Sequence, residues 1–216
     1  MWWLAIPPAI WVSKKIYDTV VDDYEPSSPS PSIKTILEKN IKRLRGELRK
    51  QSGRKVAIIG QPGSGKSSLL KKMTNGKVVP LPLIGSQTDA TNWADDIECN
   101  LLSTYNSYVF IDVPGYDTLS HPTHIFTSVF PFNEFDAFIF VTHGKLHSSD
   151  EIIFSSILST NKTLCIARSF CESLENHERN LVKEDMRMRL SVDKFIPIIF
   201  FSNRTGEGVE SIFKSM

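Results

Sequence analysis

Apolar residues recur along this chain in two rhythms. From Ile33 to Lys50 they fall three or four apart, at Ile33, Leu37, Ile41, Leu44 and Leu48, which predicts an amphipathic helix. From Lys55 onward the rhythm changes to short apolar runs, many rich in β-branched residues, separated by stretches of helical character. Lys55–Ile59, Ile97–Leu102, Tyr108–Val113, Ala137–Val141, Thr163–Ala167 and Ile196–Phe201 read as six strands, the second and third joined by a turn over 103–107. Helices are expected at Ser67–Met73, near Asp150–Leu158 and at Glu172–Leu190, with another beginning at Glu207. Such alternation implies an α/β fold, a mostly parallel six-stranded sheet with helices on both faces, preceded by the amphipathic helix.

Four stretches fit neither rhythm. Residues 1–12 are uncharged and apolar and hold three of the four tryptophans, but they are too few to span a bilayer, and Pro7-Pro8 would interrupt a helix. They lack the basic start and small-residue cleavage site of a secretory signal. Residues 22–32 are acidic, then rich in Pro and Ser, the composition of an extended linker. The span Asn75–Ala94, broken by Gly and Pro, and the span Tyr116–Phe132 read as long loops, the second leading into a short helix. The expected organisation is an apolar arm over 1–21, a linker over 22–32, a basic helix over 33–52 and an α/β domain over 53–216.

Net charge adds a second division. The total of +1 is the sum of −2 over residues 1–32, +7 over 33–55 and −4 over 56–216. The predicted helix therefore carries a basic face, with Lys34, Lys39, Lys42, Arg43, Arg45, Arg49 and Lys50 opposite its apolar stripe. Two readings stay open for it: a surface for a membrane or partner, or a helix packed on the side of the domain with a solvated face. Three cysteines without C-x-x-C spacing argue against a disulfide framework or zinc site and fit a reducing compartment. His143 and His147 flank Gly144, which argues against the helix that an i, i+4 metal pair would need, and His121 and His124 read as loop polar groups.

The chemistry sits between the first strand and the helix that follows it. Gly60-Gln61-Pro62-Gly63-Ser64-Gly65-Lys66-Ser67 is a full match to G-x-x-x-x-G-K-[ST], and Ser68 follows it into the helix. Glycines let successive backbone N–H groups turn inward, and the helix N-terminus adds partial positive charge, so the loop fits a polyphosphate. Lys66 would reach the β- and γ-phosphates, and the Ser67 hydroxyl would ligate a bridging Mg²⁺. In the loop that follows, Thr88 and Thr91 are candidates to hold the Mg²⁺ and sense the γ-phosphate, Thr91 being preferred. Asp112, at the carboxyl end of a strand 45 residues beyond Ser67, would hold the metal mostly through water, and the Gly115 amide would meet the γ-phosphate.

With Asp112-Val-Pro-Gly-Tyr-Asp-Thr118 in place, the chain resembles the P-loop GTPases of the translation-factor and Ras-like class. Its D-x-P-G and Pro62 are closest in pattern to the Era-like, dynamin-like and immunity-related members. The resemblance covers about Lys55–Phe213 and implies the six-stranded G-domain fold, GTP and GDP as ligands, Mg²⁺ as cofactor, and catalysis carried by Lys66, Thr91, Gly115 and the residue after it. That residue is Tyr116, where Ras-like enzymes place a water-orienting Gln; a slow intrinsic turnover is implied, with help from a partner or from dimerisation through the nucleotide face. The guanine-reading motif also departs. Arg168-Ser-Phe-Cys-Glu172 lines up with the family's [NT]-K-x-D only if Glu172 replaces the Asp, with Phe170 where a stacking Lys stands, and Asn203 is a candidate in the weaker base-contacting loop.

The resulting expectation is a nucleotide-dependent switch that slowly hydrolyses GTP, cytoplasmic, and peripheral at a membrane if residues 1–15 and the basic helix meet anionic lipid. Its effector is unspecified and no nucleic-acid partner is expected. Two rivals remain: a non-catalytic pseudo-GTPase scaffold, motivated by Tyr116 and Glu172, and a P-loop ATPase or small-molecule kinase.

Overall fold

A computed structural model describes residues 31–85 and 91–216. The arm over 1–21 and all but the end of the 22–32 linker lie outside the described residues, as does Thr88. Six strands form one sheet in the order β2-β3-β1-β4-β5-β6, where β1 is Arg54–Gly60, β2 Ser103–Tyr105, β3 Tyr108–Asp112, β4 Ala137–Thr142, β5 Thr163–Arg168 and β6 Ile198–Phe200. All neighbours pair in parallel except β2, which runs antiparallel to β3 along one edge. Strand β4 is buried along its whole length and β1 over its last five residues, because helices cover both faces.

One face takes α1 (Pro31–Lys50), α3 (Thr123–Val129), α4 (Ser148–Leu158) and α5 (Asn176–Arg189) against Ala57, Ile59, Val109, Ile111, Phe138 and Phe140. The other takes α2 (Lys66–Met73) and α6 (Val209–Lys214) against Val56, Ile58, Phe110, Ile139 and Val141. Successive residues of each strand thus feed two separate cores, as a period of two requires. This three-layer fold is the expected one.

The stripe Leu37, Ile41, Leu44 and Leu48 is almost wholly buried, and all four side chains join the larger core. Burying each is worth roughly 1.5–3 kcal/mol relative to exposure. Lys39, Lys42, Arg45, Arg49 and Lys50 are left on the solvent side. Of the two readings open for the basic helix, packing on the domain is the one found; its apolar stripe faces the domain and is not free to enter a bilayer. The helix starts at Pro31, two residues inside the expected linker, where the fixed φ of proline suits a first turn. A boundary after residue 52 does not separate two cores.

Three local expectations are corrected. Ile97–Leu102 is not a strand: Leu101 is buried by packing, Ile97 is half-exposed, and the edge strand is Ser103–Tyr105, inside the expected turn. The reversal falls at Asn106, with φ 52°, and Ser107. The helix expected from Glu172 begins at Asn176, because Phe170 (φ 56°) and a 3₁₀ turn over Cys171–Ser173 intervene before the Glu175/Glu178 capping box. No helix among the described residues is long and apolar enough to cross a membrane.

Candidate functional site

The carboxyl ends of β1 and β3 lie side by side. Register places Asp112 opposite Ile58, two residues before the Gly60 at which the phosphate-type loop begins. The loop turns on Gly65, with φ 93°, which caps α2; a side chain there would be both strained and 2.6 Å from the Asn203 amide. Lys66 folds back over the loop, its Nζ donating to the carbonyls of Gly60 and Gln61, each at 2.9 Å. At the other side of the cleft, a Cβ on Gly115 would stand 2.5 Å from the Pro62 ring, so the two motifs meet in a contact that only glycine permits.

The three residues expected at a metal converge. Ser67 Oγ donates to Asp112 Oδ2 at 2.5 Å and Thr91 Oγ1 donates to the same oxygen at 3.2 Å. Asp112 Oδ1 is buried with no hydrogen-bond partner. Burial raises the Asp112 carboxyl above its ordinary range, opposed by the nearby Lys66 ammonium and by the two hydroxyls. Two hydroxyls and a carboxylate are hard oxygen donors, few in number, as Mg²⁺ prefers when phosphate supplies other ligands. The set fits a magnesium–polyphosphate pair.

A cleft of about 510 Å³ opens over this cluster. Pro62, Gly63, Gly65, Lys66, Ser67 and Ser68 line its floor, and Thr91, Gly115, Glu172 and Asn203 line its walls. Gly60, Gln61, Ser64 and Asp112 stand behind the lining: Ser64 is fully buried, and the Gln61 side chain turns away to donate to Ser149 Oγ at 2.8 Å. Leu83, Ile84, Ser169, Phe170 and Arg204 also line the cleft, although sequence reasoning assigned them no site role. The usable signals were the motif alignment over Arg168–Glu172, which holds Ser169 and Phe170, and for Arg204 its place beside Asn203.

Tyr116 is not brought to the cleft. Its ring is fully buried, and its hydroxyl donates to Asp150 Oδ1 at the start of α4. Burial and the Asp150 charge push the phenol well above its ordinary pKa. The catalytic place that the resemblance gives Tyr116 is corrected as far as its side chain goes: the ring serves the core, and the side chain does not line the cleft.

On the wall of the cleft, Glu172 Oε1 accepts from Arg204 Nε at 3.5 Å, while Oε2 is buried with no partner. A bond from its own amide, the Ser202 hydroxyl and Arg204 hold its carboxyl below the ordinary range, so it is ionised and an acceptor. Phe170, held in the left-handed region, packs on His143 at 4.7 Å between ring centres. Asn203 Nδ2 donates to Gly65 O at 3.0 Å and ties the loop after β6 to the glycine-rich loop after β1.

Residues 55–168, just over half of the chain, match the family model of the 50S ribosome-binding GTPase. The chain belongs to that GTPase family. Among curated proteins the chain is similar to GTPase Der of Stutzerimonas stutzeri (strain A1501), 28% identical over 186 residues, 81% of this chain and 36% of that protein. GTPase Der of Pseudomonas aeruginosa (strain LESB58) is 28% identical over 177 residues, 77% of this chain and 34% of that protein. The chain thus spans about a third of the length of these relatives. Among solved structures, the fold is shared with a probable GTP-binding protein EngB (TM-score 0.55, 14% identity, 74% of this chain and 95% of that one). It is also shared with a bacterial selenocysteine-specific elongation factor EF-Sec (TM-score 0.55, 16% identity, 76% of this chain and 28% of that one).

Proposed function

We propose that this GTPase-family chain binds GTP in the cleft, hydrolyses it slowly to GDP, and works as a switch whose two loops respond to the γ-phosphate. The observation that carries the reading is the meeting of Ser67 and Thr91 on one oxygen of Asp112 beside Lys66. Ser67 and Thr91 would hold Mg²⁺ directly and Asp112 through water, and the ion would neutralise charge on the phosphate oxygens. The loop amides and Lys66 hold the polyphosphate, and the amide of Gly115 faces its end. Thr91 joins the loop before β2 to that end, and Gly115 joins the loop after β3.

Slow turnover follows from Tyr116. With its phenol committed to Asp150, the family's water-orienting position presents no polar side chain to the cleft, so an activating group would come from a partner. A second copy is one candidate: Leu83 and Ile84, which line the cleft, continue an apolar run from Val79 and Leu81, and all four are 51–70% exposed.

Guanine is read by Glu172, whose ionised, partly unpartnered carboxylate can accept two ring N–H donors. A competition titration of a fluorescent GTP analogue against GTP, GDP, ATP and ADP with Mg²⁺ tests this on the wild type, Lys66→Ala and Glu172→Gln. Displacement by guanine nucleotides alone, weakened in Lys66→Ala and less selective in Glu172→Gln, supports the reading. Equal displacement by ATP refutes guanine specificity, and unchanged hydrolysis in Lys66→Ala refutes the site.

A further inference from the structure

Asn40 interrupts the apolar face of α1. It lies three residues after Leu37 and four before Leu44, and it is fully buried. Another leucine there would extend the stripe at no polar cost; an amide must be compensated by hydrogen bonds. Its Nδ2 donates to Trp93 O at 2.7 Å and to Asp96 O at 2.8 Å, while Oδ1 has no partner. Both donors of the amide are thus spent on the main chain of the loop that carries Thr91. Among uncharged side chains only an Asn or Gln amide offers two N–H donors on one nitrogen.

Trp93 is held from its other side as well. Its N–H donates to Nε2 of His121 at 3.1 Å, in the loop that follows Gly115. The residue two places from Thr91 therefore has its amide fixed by one nucleotide-facing loop and its carbonyl fixed by α1. Within the loop, Asn92 Oδ1 accepts from the Ala94 N–H at 2.8 Å and stiffens the short connection from Thr91. Trp93 is thus held at both its amide and its carbonyl, and a single residue, Asn92, separates it from Thr91.

We propose that Asn40 is a positioning residue for the γ-phosphate-sensing threonine: by anchoring the carbonyls of Trp93 and Asp96 it sets where Thr91 Oγ1 stands over Asp112, and it couples α1 to the bound nucleotide. The proposal rests on the reading of Thr91 as a metal ligand. Asn40 touches neither metal nor substrate; it acts through the loop. Because the coupling is reciprocal, movement of Thr91 on loss of the γ-phosphate strains the docking of α1.

The test is a double-mutant cycle on the full chain with Asn40→Leu, Thr91→Ala and both together, read as the Mg²⁺ concentration that half-saturates GTP turnover. Thr91→Ala is expected to raise it at least tenfold, and Asn40→Leu by about tenfold, the usual effect of removing an outer support of a metal ligand. The double variant is expected to match Thr91→Ala, and GDP binding without Mg²⁺ to stay unchanged in Asn40→Leu. Arg43→Met, which removes the neighbouring bond from α1 to Cys99 O, is expected to leave the Mg²⁺ requirement alone. Additive effects, or an unchanged requirement in Asn40→Leu beside a raised one in Thr91→Ala, overturn the proposal while sparing the site. No effect of Thr91→Ala overturns both.

Should Asn40→Leu fail to fold, the wild type decides. Hydrogen exchange compared between GDP·Mg²⁺ and a non-hydrolysable GTP analogue with Mg²⁺ is expected to change over residues 92–98 and over α1 together. A change over 92–98 with α1 unaltered overturns the coupling.

Discussion

The hydroxyl of Tyr116 and the carboxylate of Asp150 meet inside the core, the phenol donating to Oδ1 while Oδ2 accepts the His147 N–H at 2.8 Å. One buried carboxylate thus closes the capping box of α4 and fastens the loop that follows Gly115. Tyr116→Phe leaves Oδ1 buried without a donor, a cost of about 1–3 kcal/mol. The expected outcome is a melting temperature several degrees lower with a kcat within about twofold of wild type. A phenol acting on the attacking water would instead cost about a hundredfold in kcat. Thermal melts and single-turnover hydrolysis separate the two.

His121 gives the fold an acid-sensitive joint. Burial, helped by the nearby Lys66 charge, lowers its pKa from 6.5 to about 4, so the ring is neutral and its Nε2 accepts from Trp93. The unfolded chain takes up the proton first as pH falls. Stability from this group is fully present above about pH 6.5 and is lost between there and pH 4, in total on the order of 3 kcal/mol. His121→Gln, which keeps an acceptor but does not titrate, is expected to show a flatter stability profile across that window in denaturant titrations at successive pH values.

Gly115 and Pro62 are in contact, and a methyl group at 115 has no room. Gly115→Ala is expected to push the two motifs apart by a few tenths of an ångström or more, with a turnover loss approaching a hundredfold and a far-ultraviolet spectrum like that of wild type. Retained turnover would show that the loops can separate without consequence.

Asp112→Asn is expected to move stability and function in opposite directions. The carboxylate is buried with one oxygen unpartnered and its ionised form penalised, so the neutral amide should unfold no more easily than wild type, or less easily, when no nucleotide is present. The same change is expected to raise the Mg²⁺ needed for turnover by about 10–100-fold. A loss of both stability and Mg²⁺ affinity would mean that the carboxylate is structural.

Much of the scaffold was legible because it is periodic. The five parallel strands are apolar runs that no other element could absorb, and the glycines of the phosphate-type loop are dictated by backbone geometry. What escaped was decided by side-chain direction and distant pairing. The run Ile97–Leu102 signalled burial correctly for Leu101, but burial is not a ladder, and the pairing segment Ser-Thr-Tyr lies on an edge where polar residues serve well. D-x-P-G fixed the backbone at Gly115 without saying that the next side chain would turn into the core. Asn40 carried no signal at all, since its partners are main-chain carbonyls 53 and 56 residues further on.

That distance also bears on how the protein is made. Helix α1 leaves the synthetic machinery before the strands it leans on, and its anchors at Trp93 and Glu134 come 53 and 85 residues after Asn40 and Arg49. At about 5–20 residues per second, its leucine stripe waits several seconds for a surface to cover it. A helix made before its anchors is docked late, so the nascent chain passes through an interval in which a sticky, positively charged amphipath is free to meet chaperones, lipids or a neighbouring chain before the domain claims it.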